Sequence, residues 1–510
     1  MTMEKKIIEL LPIEVETATN EYRNLGISDE DAEFYKSFPE KDRKRLLWKV
    51  DMRLIPTLAM LYLISHLDRS NIGNAKIEGL MEDLKLTGVK YNIALSVFFI
   101  PYILLEVPSN ILLKKFRRPS TYMSILVLSW GIVMTCTGFV NNFGGLVACR
   151  FMLGIPEAGF FPAAIYLISR WYTAAHLQTR IALFYCASAF SGACSGLLAF
   201  AIAKMDGVGN RPGWAWIFIL EGLATVCLGL ICALVMPDTP ALSSRWLSPS
   251  EIRFLDIQIT IKEGGRASQE ASNNKFRWGD LFSLLTDYKL YLQSWILFSV
   301  VGCAYGLKFT MPSITKSMGY TSSQAQLMTI PPYVAGAISA YTFARFSDRF
   351  QWRMPFLVGP LSLMVVGFAI IVGFAPNITS KIAPCYVGVF LVCIGQYPCN
   401  PAGCAWLATN LAGQSRRAMG LAFGVAFSNL GGILGSYIYL EKEKPGYATG
   451  FGSSLALAIS AIAAALILEA SYKRINSSRS RVSEDEVRSR HTDDELAKLG
   501  DRSLLFRYAL

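Results

Sequence analysis

Apolar residues in this chain run in long stretches separated by short polar clusters. A helix rising about 1.5 Å per residue needs about 20 mostly apolar residues to cross roughly 30 Å of hydrocarbon. Twelve stretches satisfy that requirement, near 54–74, 91–113, 120–140, 144–169, 181–204, 215–236, 291–314, 326–346, 354–374, 382–407, 417–439 and 450–471. The pattern predicts an all-α membrane protein with twelve transmembrane helices. Prolines interrupt the fourth stretch at Pro156 and Pro162 and the tenth at Pro398 and Pro401. Breaks at corresponding places in two halves point to a binding region.

Between the sixth and seventh stretches lies a polar segment, Pro237 to Tyr291, with a Gly/Ser/Asn-rich middle. It reads as a linker and divides the spans six and six. The expected organisation is an amino-terminal tail over 1–53, a six-helix bundle over 54–236, a linker over 237–290, a second six-helix bundle over 291–471 and a tail over 472–510. An even number of spans puts both tails on one side. The four short loops sharing that side hold eleven basic residues, from Lys114 to Arg417, against one acid, Asp348. The basic linker and Lys473 and Arg474 add to the bias, which predicts cytoplasmic tails. Both tails are too poor in apolar residues to form a core of their own.

Composition agrees: 52% of residues are hydrophobic and 17% charged, and the mean hydropathy is +0.35. The net charge of +11 does not imply nucleic acid, because the basic residues cluster between apolar spans. Eleven cysteines lie scattered without metal-ligand spacing and read as small buried hydrophobes, so neither a metal nor a cofactor is expected. The first 50 residues are polar, with no signal-peptide pattern, so the first span is expected to serve as the insertion signal. No nucleophile arrangement or phosphate loop suggests an enzyme.

The candidate chemistry is the charge inside the spans. Asp68 and Arg69 stand together in the first, and intramembrane charge is costly enough to mark function. Arg150 in the fourth span reaches a similar depth by helical rise, and Lys308 in the seventh lies somewhat farther out. Three cations are therefore expected in the outer half of a central pathway. Arg150, Gly154 and Glu157 at i, i+4 and i+7 share one face, and a gap at the glycine would leave room for a ligand. Burial disfavours charge on Glu157 and a nearby arginine favours it, so this carboxyl suits proton exchange. The bland alternative is that these charges only pair to hold helices together, with Glu106 and Glu221 as further partners. His66 reads as a helix-facing polar residue.

Several motifs carry a resemblance. Leu67-Asp68-Arg69-Ser70-Asn71-Ile72-Gly73-Asn74-Ala75, Arg150-Phe-Met-Leu-Gly154-Ile-Pro-Glu157-Ala-Gly159, Trp216-Ile-Phe-Ile-Leu-Glu221-Gly222, Pro237-Asp238-Thr-Pro240, Pro331-Pro332-Tyr333 and Pro445-Gly-Tyr447 are arranged on two sets of six helices. The whole resembles the major facilitator superfamily, in particular its anion:cation symporter branch and the fungal allantoate permease group. The resemblance implies Arg69 as ligand for a substrate carboxylate and Asp68 with Glu157 as proton-coupling sites. Two departures stand out. The loop after the second span, Pro108-Ser109-Asn110-Ile-Leu-Leu-Lys114-Lys115, lacks the superfamily's Asp-Arg core, whereas Ser347-Asp348-Arg349 and Arg353 keep a version between the eighth and ninth, as a gating latch. Ala215 stands where relatives commonly place Arg.

The expectation is a secondary active transporter, working by alternating access, for proton-coupled uptake of a small organic anion such as a vitamin-like or ureide carboxylate. Arg69, Arg150 and Lys308 would bind the anion, Gln396, Asn400 and Tyr397 would line its site, and Tyr102 and Phe160 would help set its size. The expected partners are that anion, protons and lipid, with the chain a monomer in the plasma membrane. The alternatives are a proton-exchange exporter, disfavoured because the fifth span lacks proline, and a nutrient receptor that binds without transport.

Overall fold

The computed structural model describes residues 27–113, 115–172, 174–262, 278–350, 352–412, 414–482, 487, 489 and 500–510. Within them the apolar stretches form α1 (Glu40–Ala75), α2 (Phe99–Leu113), α3 (Pro119–Thr137), α4 (Phe143–Trp171), α5 (Ala174–Ala203) and α6 (Gly213–Val235). The second set is α7 (Tyr288–Ser317), α8 (Ile330–Phe350), α9 (Pro355–Phe374), α10 (Ile382–Thr409), α11 (Gln414–Ile438) and α12 (Ala448–Arg479). Helices are the form such stretches must take in lipid, where every backbone N–H and C=O has to be satisfied within the segment.

Eleven described helices are long and apolar enough to cross a membrane. The twelfth of the expected spans, α8, is a helix of 21 residues whose Arg345, Ser347, Asp348 and Arg349 make its last turns polar. Outward faces carry exposed aliphatics such as Leu104, Ile132, Ile338 and, at 84% exposure, Leu234. On a water-soluble surface these would be a liability, and against lipid tails they cost nothing.

The halves repeat one packing scheme. α1 lies against α5 and α6, and α3 against α6; correspondingly α7 lies against α11 and α12, and α9 against α12. The bundles meet along α5–α8, α2–α11 and α1–α7. Each half has its own apolar core, one around Trp130, Phe160 and Phe184 and one around Met364, Phe368 and Phe451.

One end of the bundle pair is closed by contacts between the halves. Lys76 pairs with Glu441 at 2.5 Å, and Asn92 Nδ2 donates to the Ser436 carbonyl at 2.5 Å. Lys316 Nζ donates to the Ile77 carbonyl at 3.1 Å, and Gln326 Nε2 to Glu78 Oε1 at 3.0 Å. Below these, Gly73 of α1 faces the backbone of α7 so closely that a Cβ there would stand 2.7 Å from the Phe309 carbonyl oxygen. This closed end is opposite the one that carries the linker and tails.

Two features differ from expectation and one agrees with it. α10 runs unbroken through Pro398 and Pro401. Proline at 398 has no N–H for the carbonyl four residues back, that of Ile394, but Ser339 Oγ of α8 donates to it at 2.6 Å. α4, by contrast, is divided just after Glu157, where Phe143–Glu157 gives way to Phe160–Trp171. Finally, neither tail is idle. Helix Asp29–Ser37 packs on the linker helix Pro249–Lys262, with Phe38 stacked on Phe254 at 4.3 Å, and residues 500–510 dock under the second bundle. The described parts of both tails pack on apolar residues from elsewhere in the chain.

Candidate functional site

A cavity of about 120 Å³ lies between the halves, on the tail side of the closure. α1 contributes Tyr62, His66 and Arg69 on one face at i, i+4 and i+7, and α7 contributes Val301, Tyr305 and Lys308 with the same spacing. α10 adds Gln396, Tyr397, Asn400 and Cys404, and α11 adds Ser428 and Asn429.

Arg69 is the organising charge. Its Nε donates to Glu157 Oε1 at 2.5 Å and its Nη1 to the Tyr305 hydroxyl at 2.7 Å. The guanidinium carbon lies 4.7 Å from the Tyr102 ring centroid and 5.2 Å from that of Phe98, so two aromatic faces hold the cation. Glu157 sits behind Arg69, 1% exposed, and also accepts from Ser65 Oγ at 2.5 Å; its Oε2 has no partner. One arginine thus joins α1, α4 and α7, and its carboxylate is withheld from the cavity.

Lys308 is the second cation of the wall. Its Nζ donates to the His66 carbonyl at 2.7 Å and lies 3.2 Å from His66 Nδ1. The neutral polar groups are close by: Asn400 Nδ2 donates to the Tyr185 hydroxyl across the bundles, Gln396 Oε1 is buried without a partner, and Asn429 Nδ2 reaches Glu106 Oε2 at 3.4 Å. The rest of the lining is largely aromatic. A cationic, aromatic cleft with a few amides can exchange the water around a small anion for fixed donors.

Among the substrate-binding candidates, Arg69, Lys308, Gln396, Tyr397 and Asn400 come together around this cavity, and Arg150 does not. Its guanidinium is buried 5.7 Å from the Phe218 ring, and Nε and Nη2 have no partner. The expected opening beside Gly154 is also filled, because a Cβ there would stand 2.4 Å from the Phe98 carbonyl oxygen. The glycine allows α2 to approach α4, and that contact closes off Arg150. Asp68 likewise faces away from the cavity; its Oδ2 accepts from Thr225 Oγ1 at 3.3 Å while Oδ1 has no partner. Glu221 Oε2 accepts from Asn71 Nδ2 at 2.5 Å.

Phe160 is buried against Trp130 at 5.4 Å, and its neighbour Phe161 lines the wall instead. Tyr102 is in the wall as expected. His66, Tyr185, Tyr305 and Asn429 also line the cavity, and no proline break or neighbouring intramembrane acid in the sequence marks Tyr185, Tyr305 or Asn429 as facing it. Of the latch residues, Arg349 is exposed, Arg353 Nη1 donates to Ser347 Oγ at 3.0 Å, and the Asp348 side chain lies outside the described residues.

Comparison with known proteins decides the family. Residues 58–436 match the model of the Major Facilitator Superfamily. This chain belongs to that superfamily. It is accordingly an integral, multi-pass membrane transport protein and not an enzyme. It is 34% identical to the MFS-type transporter cnsO of Penicillium expansum, over 93% of this chain and 92% of that one. It is 31% identical to the high-affinity nicotinic acid transporter of Saccharomyces cerevisiae, over 91% of this chain and 84% of the relative. Among solved structures, the proton:xylose symporter XylE bound to 6-bromo-6-deoxy-D-glucose superposes with a TM-score of 0.64 at 14% identity, covering 82% of this chain and 96% of that one. At that identity the likeness speaks for the fold alone.

Proposed function

We propose that this protein is a proton-coupled symporter of the allantoate permease group, in the anion:cation symporter branch, carrying a small organic monoanion into the cell. The observation that carries the reading is the Arg69–Glu157 pair, with the arginine in the cavity wall and its carboxylate behind it. While Glu157 is ionised, its charge offsets that of Arg69 and weakens the pull on an entering anion. A proton on Glu157 removes that competitor, and the guanidinium is then free to bind a substrate carboxylate through two parallel N–H donors. Proton and anion therefore favour each other's binding, which is the thermodynamic content of symport.

Lys308, held by His66, supplies a second positive group, and Tyr62, Tyr102, Tyr305 and Tyr397 offer flat apolar faces suited to a ring or a planar ureide. Gln396 and Asn400 serve as neutral hydrogen-bonding groups. Asp68 belongs to the same coupling machinery through its neighbour Arg69, and Arg150 contributes positive potential from behind the wall. Closure above the cavity and open space below it correspond to an inward-facing state, with the tails in the cytoplasm and the protein in the plasma membrane as a monomer. The relationship to a transporter named for nicotinic acid, a ring carboxylic acid, supports this substrate class.

The test is uptake of labelled nicotinate and of a panel of carboxylates into proteoliposomes. Accumulation driven by an imposed inward proton gradient and abolished by Arg69→Ala is expected. Accumulation of an anion that ignores the gradient ends the coupling claim, and unchanged uptake in Arg69→Ala ends the assignment of Arg69.

A further inference from the structure

Residues 500–510 make specific contacts far from the cavity. Asn410, at the end of α10, pairs with both backbone groups of one residue: its Nδ2 donates to the Ala509 carbonyl at 3.1 Å and its Oδ1 accepts from the Ala509 N–H at 2.7 Å. Asn476 of α12 does the same for Tyr508, at 2.9 Å in each direction. Two asparagine side chains thus act as a strand edge for two successive residues. Trp406 Nε1 donates to the Ala509 carbonyl at 2.9 Å, Arg479 Nη1 to that of Phe506 at 2.8 Å, and the Arg353 N–H to the Leu510 oxygen at 2.6 Å. The Tyr508 ring stacks on Tyr472 at 4.6 Å and 13°.

A buried carboxylate belongs to the same segment. Asp501 is 1% exposed, and its Oδ1 lies 3.0 Å from Arg416 Nη2 near the start of α11, while its Oδ2 accepts from the Tyr508 hydroxyl at 3.3 Å. The first bundle has a matching triad. There Arg180, near the start of α5, donates to Asp51 Oδ2 at 2.7 Å, and the Tyr172 hydroxyl donates to Asp51 Oδ1 at 2.5 Å. Asp51 comes from the tail-side end of α1. Its positional counterpart before α7 is Asp287, which instead caps that helix, accepting from the Lys289 N–H at 3.0 Å, and pairs with Lys289 Nζ at 3.2 Å.

We propose that residues 500–510 are a built-in clasp of the second bundle, giving Arg416 the carboxylate that Asp51 gives Arg180 and, with Lys289 Nζ of α7 donating to the Tyr508 hydroxyl at 2.5 Å, tying the tail-side ends of α7, α10, α11 and α12 together. The consequence reaches the cavity through α10. Asn400 and Cys404 line the wall, and the clasp holds Trp406 and Asn410, within about two turns of Cys404 on the same helix. Detaching the segment would loosen the lower half of that wall, so the clasp is a place where transport can be adjusted from the tail side.

Hydrogen–deuterium exchange of the purified full chain in lipid nanodiscs tests this without any substrate, so its result stands apart from the transport reading. Residues 500–510 should exchange about tenfold or more slowly than the same sequence as a free peptide, because their N–H groups are held in folded contacts. Deleting 500–510 should speed exchange across 405–412 about tenfold, and adding the free peptide should restore protection, whereas a peptide carrying Asp501→Asn should not. The full-length Asp501→Asn variant supplies the same readout if the deletion does not fold. Free-peptide exchange rates for 500–510 in the intact chain, or unchanged exchange at 405–412 in both variants, would overturn the proposal.

Discussion

Replacing Gly73 by alanine should shift the protein away from the state seen here. The added Cβ would stand 2.7 Å from the Phe309 carbonyl oxygen, whereas ordinary contact begins near 3.4 Å, so the two backbones must part by the difference, about 0.7 Å. The obstacle is a main-chain oxygen in the middle of α7, which cannot rotate away as a side chain would. Overpacking of this kind costs about 1–3 kcal/mol. The intrinsic preference of alanine for helix applies in both states and cancels, while the clash exists only where α1 and α7 touch. A bias of 1–3 kcal/mol lowers the closed population about 5-fold to 150-fold relative to the alternative. Spin labels at Thr87 and Lys442, both exposed at the closed end, would report it as a longer distance component by pulsed electron resonance. Gly73→Val should strengthen the effect. An unchanged distance distribution in both variants would mean that this contact does not hold the closed state together.

Three further outcomes follow from the geometry. Glu157→Gln leaves the Arg69 charge buried without its carboxylate, a situation that costs about 3–5 kcal/mol; the variant should lose thermal stability, regain part of it with a bound carboxylate, and exchange anions across the membrane without responding to an imposed pH gradient. Arg69→Lys keeps the charge but loses the planar fork and the stacking between Phe98 and Tyr102, so its apparent affinity in uptake assays should fall about tenfold or more; an unchanged value would show that charge alone suffices. Ser339→Ala removes the donor to the Ile394 carbonyl left open by Pro398, which should cost about 1–3 kcal/mol in a denaturation measurement; wild-type stability would mean that the carbonyl finds another partner.

Twelve helices in two sixes were legible in the chain because lipid imposes a length and an apolar character on each span, and both are local properties of sequence. So was the choice of Arg69 and Glu157 as candidates, since a charge within a span needs a reason whatever the packing. What the spacing of residues did not decide was which charges share a cavity. Arg150, Gly154 and Glu157 lie on one face of α4 at ideal spacing, yet α2 closes on Gly154 and leaves Arg150 behind the wall. In the same way Ser339 of α8 satisfies the carbonyl that Pro398 leaves open, and Asn410 and Asn476 give residues 500–510 a place to dock that their own composition does not predict. Helical periodicity fixes what one helix can present. Whether a neighbour, water or a distant segment of chain meets that face depends on how the helices assemble, and only the tertiary structure holds that information.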